Sequence, residues 1–280
     1  VNTLRLWSAE PVNNEFDFSY FNRGEFLKAI EYKNSVESIS LILYPEDSFE
    51  DGKKLRLKQE YFFVSAGLQS IIKNYKNNNK DLKEFYKHVA IHINDTHPTL
   101  AIPELMRILL DEEELSWEEA FYVTTKTISY TNHTIMAEAL EKWPIEMFKG
   151  ILPRIYMIVE EINERYCKEL WNKYQGDWKR ISDMSIIADG YIKMAHLAIV
   201  GSHSVNGVAK LHTEILKNSE MKNFNEFYPE KFNNKTNGIS HRRWLLKINK
   251  ELTDLLIENI GDSFISKPSE LINFKDKVND

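Results

Sequence analysis

Four short polar runs interrupt a chain that is otherwise patterned by apolar residues. They are Asn94-Asp95-Thr96-His97-Pro98, Tyr130-Thr131-Asn132-His133-Thr134, Ser202-His203-Ser204-Val205-Asn206-Gly207 and Asn234-Lys235-Thr236-Asn237-Gly238. They share amides, hydroxyls, imidazoles and one carboxylate. A sugar hydroxyl both donates and accepts, and each of these side chains can answer it, so the runs suit a polyhydroxyl ligand. Taken singly, each run also reads as turn and capping chemistry, which uses the same Asn, Asp, Ser and Gly. Four runs of similar character weaken that plainer reading.

Other chemistries find little support. His92 and His97 are five residues apart, and His196 and His203 seven apart. Neither spacing gives the same-face pair of a helical zinc site, and no carboxylate completes a set, so no metal is expected. His92 is expected to pack against a neighbouring element. The chain has no Gly-x-Gly-x-x-Gly, no Gly-Lys-Ser/Thr loop and no Gly-x-Ser-x-Gly elbow, which leaves no dinucleotide, P-loop or hydrolase signal. Arg242-Arg243-Trp244 could clamp an anion against an aromatic wall. Two arginines opening a helix serve equally as surface ion-pair formers.

The elements that would position these runs can be read from periodicity. Leu57, Tyr61, Val64, Leu68, Ile72 and Tyr75 recur at three- and four-residue steps and predict a helix over 57–75, ended by the Lys/Asn-rich stretch that follows. Val89, Ile91 and Ile93 alternate with polar neighbours and predict a half-buried strand running into Asp95. The next helix has Pro103 in its first turn, where a missing N–H is harmless, and should bury Ile102, Leu105, Met106 and Leu109. Ser116 and Glu119 form a capping box. A long helix follows from Leu152 to Leu170, and an apolar run from Met194 to Val200 leads into the third polar run. Helices also fit the chain from about Val208, over 240–260 and in the tail. At least two of the polar runs follow strand-like segments, and open α/β sheets bind ligands beyond the carboxyl ends of their strands. The pattern is helix-rich with interspersed strands, which predicts one compact α/β unit or most of one.

The 280 residues suffice for a substantial core. The net charge of −6, with both signs mixed throughout, gives no sign of a nucleic-acid partner. The lone Cys167 cannot close an internal disulfide and fits a reduced, cytosolic compartment. No stretch approaches ~18 consecutive apolar residues, so no membrane span is expected. Three Asn-x-Ser/Thr triplets begin at Asn94, Asn132 and Asn234, and no secretory feature supports their use as glycosylation sites. Val1–Trp7 starts in a strand-like alternation without an initiator Met, from which we expect the chain to be cut from something longer.

In their wider context the runs resemble the glucan phosphorylase family, which acts on glycogen, starch or maltodextrin. The matching stretches are VNTLRLW at 1–7, LYPEDSFEDGKKLRLKQEYF at 43–62, INDTHPTLAIPELMR at 93–107, YTNHTIMAEALEKWP at 130–144, GSHSVNGVAKLH at 201–212 and NKTNGISHRRWL at 234–245. They occur in family order, from Val1 to about Phe264. Two departures stand out: Ala137 and His241 occupy positions where many relatives have Pro.

The resemblance implies a piece of a two-lobed, GT-B type glycosyltransferase that cleaves terminal α-1,4 bonds of a glucan with inorganic phosphate, releasing glucose 1-phosphate. Residues 1–265 would be the later part of the N-terminal, glucan-binding lobe, with 234–265 leading toward the second lobe and 266–280 a tail. Pyridoxal phosphate would be held by a lysine downstream, so the piece would carry no catalytic residue, bind no cofactor and be inactive alone. The parent is expected to be a cytoplasmic homodimer. His133 matches a histidine whose main-chain carbonyl meets the glucosyl 6-hydroxyl, Asn237 an asparagine whose side chain meets it, and Val208 the apolar wall beneath that sugar. Asp95 and His97 match a pair behind the site, with Asp95 expected to orient the His133 ring as a buried carboxylate. Trp244 matches a tryptophan near the cofactor. The alternative is a non-catalytic carbohydrate-binding or regulatory relative of the same fold.

Overall fold

In the computed structural model, which describes residues 4–12, 16–78 and 81–277, Leu4–Trp7 form no strand. Leu4 and Leu6 are exposed, and an alternation without a partner strand has no ladder to join. Val1–Thr3 lie outside the described residues. Asp17 caps α1, Phe18–Asn22, by accepting the amides of Ser19 and Tyr20. Next come α2, Phe26–Leu41, and α3, Glu50–Lys76. The apolar stripe expected of α3 is present, with Leu57, Leu68, Ile72 and Tyr75 buried. Glu50 and Asp51 at its start and Lys73 and Lys76 at its end complement the helix dipole.

The first strand, β1, runs Ile91–Asn94. Val89 does not join it, because its N–H donates to the carbonyl of Phe85 and closes the preceding 3-10 turn. After β1 comes α4, Ala101–Arg107, with Pro103 in its first turn and every residue from Ala101 to Met106 buried. A helix covered on all sides belongs to the interior. Its one buried carboxylate, Glu104, accepts from Tyr61, Ser65 and Arg107 and is thereby satisfied. Ser116 and Glu119 form the expected capping box at the start of α5, Trp117–Thr127, which feeds β2, Ile128–Thr131.

From there the chain builds β3, Lys142–Pro144, α6, Ile145–Ile151, α7, Pro153–Lys173, and α8, Trp178–Met184. The short strands β4, Ile187–Ala188, and β5, Tyr191–Lys193, follow. The apolar run Met194–Val200 is a helix, α9, and the third polar run itself supplies the strand β6, Ser204–Gly207. Then come α10, Lys210–Ile215, α11, Lys222–Phe227, and β7, Phe232–Asn234. Strands β1, β2, β6 and β7 form a four-stranded, all-parallel sheet in that order, and β3, β5 and β4 a small antiparallel one. Helices from both sides of the sequence bury the parallel sheet's Ile93, Ile128, Tyr130 and Val205. Helix-rich α/β is therefore the fold class, with a parallel sheet at its centre.

The chain divides after Lys235 into two compact units, Val1–Lys235 and Thr236–Asp280. Residues 234–240, which join them, are all exposed. The second unit has a π-helical turn, Arg242–Lys247, then α12, Lys250–Ile260, capped by Asn249, and 3-10 turns through Lys277. Phe264 is its most buried side chain. Among the described residues no helix is long and apolar enough to cross a membrane.

The junction of α9 and β6 yields a test. A Cβ on Gly201 would stand 2.6 Å from Cγ2 and 2.7 Å from Cδ1 of Ile102 in α4. Gly201→Ala should therefore destabilise by about 1–3 kcal/mol through overpacking. Ile102→Ala alone should cost about 2–5 kcal/mol. The two together should cost less than their sum, read from denaturant midpoints; strict additivity would show that the two sites do not press on each other.

Candidate functional site

Each strand of the parallel sheet runs into one of the four polar runs. The registers place Asn94 opposite Thr131, Thr131 opposite Asn206, and Gly207 opposite Asn234, so parts of all four runs line one edge of the sheet. This is the carboxyl edge, where open α/β sheets bind ligands. Ser202 and His203 are the exception. They precede β6 at the opposite end, where the His203 amide bonds the carbonyl of Ile128 and its ring donates from Nδ1 to the carbonyl of Thr125.

Hydrogen bonds continue past the ladder and tie the strand ends together. The amide of Asp95 donates to the carbonyl of Thr131 at 2.9 Å, that of Asn132 to Asn206 at 2.9 Å, and that of Lys235 to Gly207 at 3.1 Å. The buried Thr131 hydroxyl donates to Oδ1 of Asn206 at 2.8 Å and accepts from the ring of His92. His92 thus packs against its neighbouring strand, as expected. Asn132 fixes the loop after β2: its Oδ1 accepts the amide of Thr134 at 2.9 Å and its Nδ2 donates to the Tyr130 hydroxyl at 3.0 Å.

The exposed ring of His133 donates from Nε2 to Oδ1 of Asn94 at 2.5 Å. The expected partner, Asp95, is only half-buried, and its Oδ1 takes the amide of Thr96 at 2.7 Å. Backbone geometry explains the exchange of partners. Successive strand side chains point to opposite faces, and Asp95 sits at φ 65°. That left-handed turn, which Asp tolerates better than most residues, swings the carboxylate back onto the next amide. Val208, half-buried, follows β6 directly, and its amide donates to Nδ1 of His212 at 3.0 Å. His133 and Asn94, at the ends of β2 and β1, and Val208 and His212, after β6, thus form one group at the strand ends. Sequence reading missed Asn94 and His212 as members. The signal for His212 was its place four residues after Val208, one turn into the next helix.

His97 is half-buried with its ring edge-on to Tyr44, centroids 6.2 Å apart. It helps line a pocket of about 270 Å³ with Tyr44, Arg56, Glu60 and Phe63. A groove of about 1060 Å³ lies along α3 and touches none of the strand-end residues; volume there does not coincide with the concentration of polar side chains. Next to His97 two carboxyls meet. Oε2 of Glu60 and Oε1 of Glu141 are buried without a hydrogen-bond donor. Arg56 reaches the other oxygen of each, at 3.2 Å and 3.3 Å, and Asp47 at 2.7 Å. A single proton shared between the two facing oxygens satisfies both. Burial, and then the negative charge of Glu141, push the Glu60 carboxyl far above the usual carboxylate range. Burial also raises Glu141, against the opposing pull of its bond to Glu60, of Arg56, His97 and Thr96.

Asn237 and Trp244 belong to the second unit, where both are exposed. Arg242 and Arg243 are exposed too and make no ion pair there among the described residues. A Schiff-base cofactor needs a lysine whose amine is sheltered and free. The buried Lys231 does not fit, since its Nζ donates to the carbonyls of Ile199 and Val200 and lies 4.0 Å from the Tyr228 ring centroid. Burial lowers its amine to about 8, but its protons are committed to the end of α9. Among the described residues no group of three His, Cys, Asp or Glu side chains could hold a metal ion.

A parallel sheet whose carboxyl edge is set with amides, hydroxyls and imidazoles defines an α/β protein suited to polyhydroxyl ligands. The sequence pattern of the carbohydrate phosphorylases matches residues 1–280, and the chain belongs to that family. It is 58% identical over 280 residues to the glycogen phosphorylase of Bacillus subtilis (strain 168), covering all of this chain and 34% of that protein. It is 52% identical over 261 residues to glycogen phosphorylase 2 of Dictyostelium discoideum, covering 92% of this chain and 26% of that one. The brain form of Homo sapiens is 48% identical over 291 residues, again with all of this chain and 34% of the relative aligned. The chain thus spans about a third of the length of the curated relatives it matches.

The carboxyl pair supplies a prediction. A carboxyl that holds its proton more tightly folded than unfolded stabilises the fold most at low pH, and that contribution drains away as pH rises above the ordinary carboxylate range. Glu60→Gln keeps a donor facing Glu141 at every pH. Melting the two proteins side by side should give similar midpoints near pH ~4.5 and a growing advantage for the variant above it, on the order of 1–3 kcal/mol by neutral pH. A difference independent of pH would mean that Glu60 is ionised in the fold.

Proposed function

We propose that this chain forms the glucan-gripping part of a glycogen or maltodextrin phosphorylase, whose full-length form transfers the terminal glucosyl unit of an α-1,4-glucan to inorganic phosphate. The observation that carries the reading is the single carboxyl edge lined by parts of all four polar runs, within a chain whose family match is end to end. In this reading the His133 main-chain carbonyl meets the 6-hydroxyl of the bound glucosyl unit. Val208 lies beneath that sugar, and Asp95 and His97 back the site. Asn237 and Trp244 keep the roles that the resemblance implies, as a second contact to the 6-hydroxyl and a neighbour of pyridoxal phosphate. The cofactor, held outside this chain, would supply the proton transfer through its own phosphate. The parent works as a homodimer in the cytoplasm.

The strand-end network suits such a task. A grip on a non-reacting hydroxyl contributes orientation and remote binding energy that are realised when the glycosidic bond breaks. Asn94 holds the ring of His133, and Asn132 holds its loop, so the carbonyl that faces the sugar is fixed from both sides.

The direct test is phosphorolysis. The full-length protein containing this sequence, incubated with maltodextrin and inorganic phosphate, should release glucose 1-phosphate, and the 280-residue chain alone should release none. Glucan binding by the full-length protein without any glucose 1-phosphate would instead favour the non-catalytic relative. A second test separates the neighbours on β1. Asn94→Leu frees the His133 ring, and misplacement of the carbonyl should cut the preference for glucose over 6-deoxyglucose units by about tenfold or more. Asp95→Asn keeps the size and the oxygen that receives the Thr96 amide, and should leave that selectivity within about twofold of wild type. The reverse order of effects would return the orienting role to Asp95.

A further inference from the structure

His212 is built into the strand-end group through the backbone of Val208. It sits in the first turn of α10, and its Nδ1 accepts the amide of Val208 across the start of that helix. An amide N–H can only be accepted by a ring nitrogen that carries no proton, so the contact fixes the tautomer: the proton is on Nε2. Nε2 is buried and has no acceptor among the described residues. A ring left with an unsatisfied buried donor would gain by moving its proton, but a proton on Nδ1 would face the Val208 N–H head-on. The orphan donor is therefore a consequence of the grip on Val208.

The surrounding packing is close enough to make that grip specific. A Cβ on Gly207 would meet Thr213 Oγ1 at 2.5 Å and His212 Nδ1 at 3.0 Å, so only glycine lets α10 approach the end of β6 this closely. Next to His212, the Thr213 hydroxyl lies 3.0 Å from Oδ1 of Asn234 at the end of β7 and 2.9 Å from the carbonyl of Ala209. The first turn of α10 thereby holds two strand ends together.

We propose that His212 is a positioning residue of the sugar-side site: as a neutral imidazole it clamps the backbone at Val208, fixes the apolar surface beneath the bound sugar, and releases it on protonation. This rests on the phosphorylase reading above. An imidazolium carries N–H on both nitrogens, so one added proton turns the acceptor at Val208 into a donor facing a donor. Burial, and then the nearby His133, hold the His212 ring below the ordinary histidine value, which keeps the clamp closed at neutral pH. Other charged side chains are few. Strands β6 and β7 carry none within their spans, Lys235 follows β7, Lys210 and Glu214 share α10 with the ring, and Lys217 and Glu220 lie on the turn after it. The sign follows: the clamp is closed above the depressed value and opens as pH falls through it.

The test uses the full-length protein and two variants. His212→Leu removes the acceptor and should lower kcat/KM for maltodextrin about 10- to 100-fold at neutral pH. His212→Asn places an oxygen near the position of Nδ1 and cannot be protonated. It should recover most of the loss, and the fall in kcat/KM on the acid side should shift or vanish relative to wild type. Hydrogen exchange of the peptide containing Val208 gives a readout independent of catalysis, expected to quicken in His212→Leu, with β1 unchanged, and to recover in His212→Asn. Kinetics within about twofold of wild type in a folded His212→Leu protein would overturn the proposal. So would an acid limb that persists unchanged in His212→Asn. If the wild-type protein binds glucan but releases no glucose 1-phosphate, the phosphorylase reading fails instead. The clamp is then judged by exchange alone, and unchanged exchange at Val208 in His212→Leu overturns it.

Discussion

A parallel ladder has to stop somewhere, and where it stops each strand is left with peptide groups that need partners. Here the central strand β2 resolves the problem for its neighbours. The carbonyl of Thr131 takes the amide of Asp95, the amide of Asn132 goes to Asn206, and the Thr131 hydroxyl bridges His92 and Asn206. Everything that follows at this edge hangs on that closure. The turn at Asp95, the loop that carries His133 and the path of Val208 all start from residues it has already fixed. Polar side chains gather here because the backbone requires them, and the same closure holds them oriented.

Much of this was legible in the sequence, for a definite reason. The stripe of α3, the capping box of α5 and the strand before Asp95 each have one buried and one exposed side, so periodicity records them. Met194–Val200 has almost no exposed side, and a short run buried all round carries no period by which helix and strand could be told apart. The polar runs were visible as chemistry, but their convergence on one edge depends on pairings between residues far apart in the chain. The partner of His133 was misread by a single position. Asn94 and Asp95 differ by one φ, and a positive φ on an aspartate leaves little trace in composition.

The buried carboxyls show the same limit from another side. Glu60 comes from the middle of α3 and Glu141 from the segment leading into β3, and neither stands out in sequence among so many acidic residues. Brought together over Arg56, they tie the chain around Asp47 and the middle of α3 to the segment leading into β3. Glu104, equally buried, meets four donor contacts and needs no shared proton. The difference between the two cases lies in the count of donors, and no local pattern encodes that count.

The strands of the parallel sheet stand side by side in the same order in which they occur along the chain, β1, β2, β6, β7. A polypeptide leaves the ribosome from its N-terminus, so each strand emerges to find its neighbour already present and never has to insert between two that have paired. The sheet grows at one edge, and each new strand covers the one laid down before it. Such a layout shortens the interval in which an unpaired apolar strand could capture another chain. Vectorial growth of this kind is a property of the wiring, independent of whatever the finished edge goes on to bind.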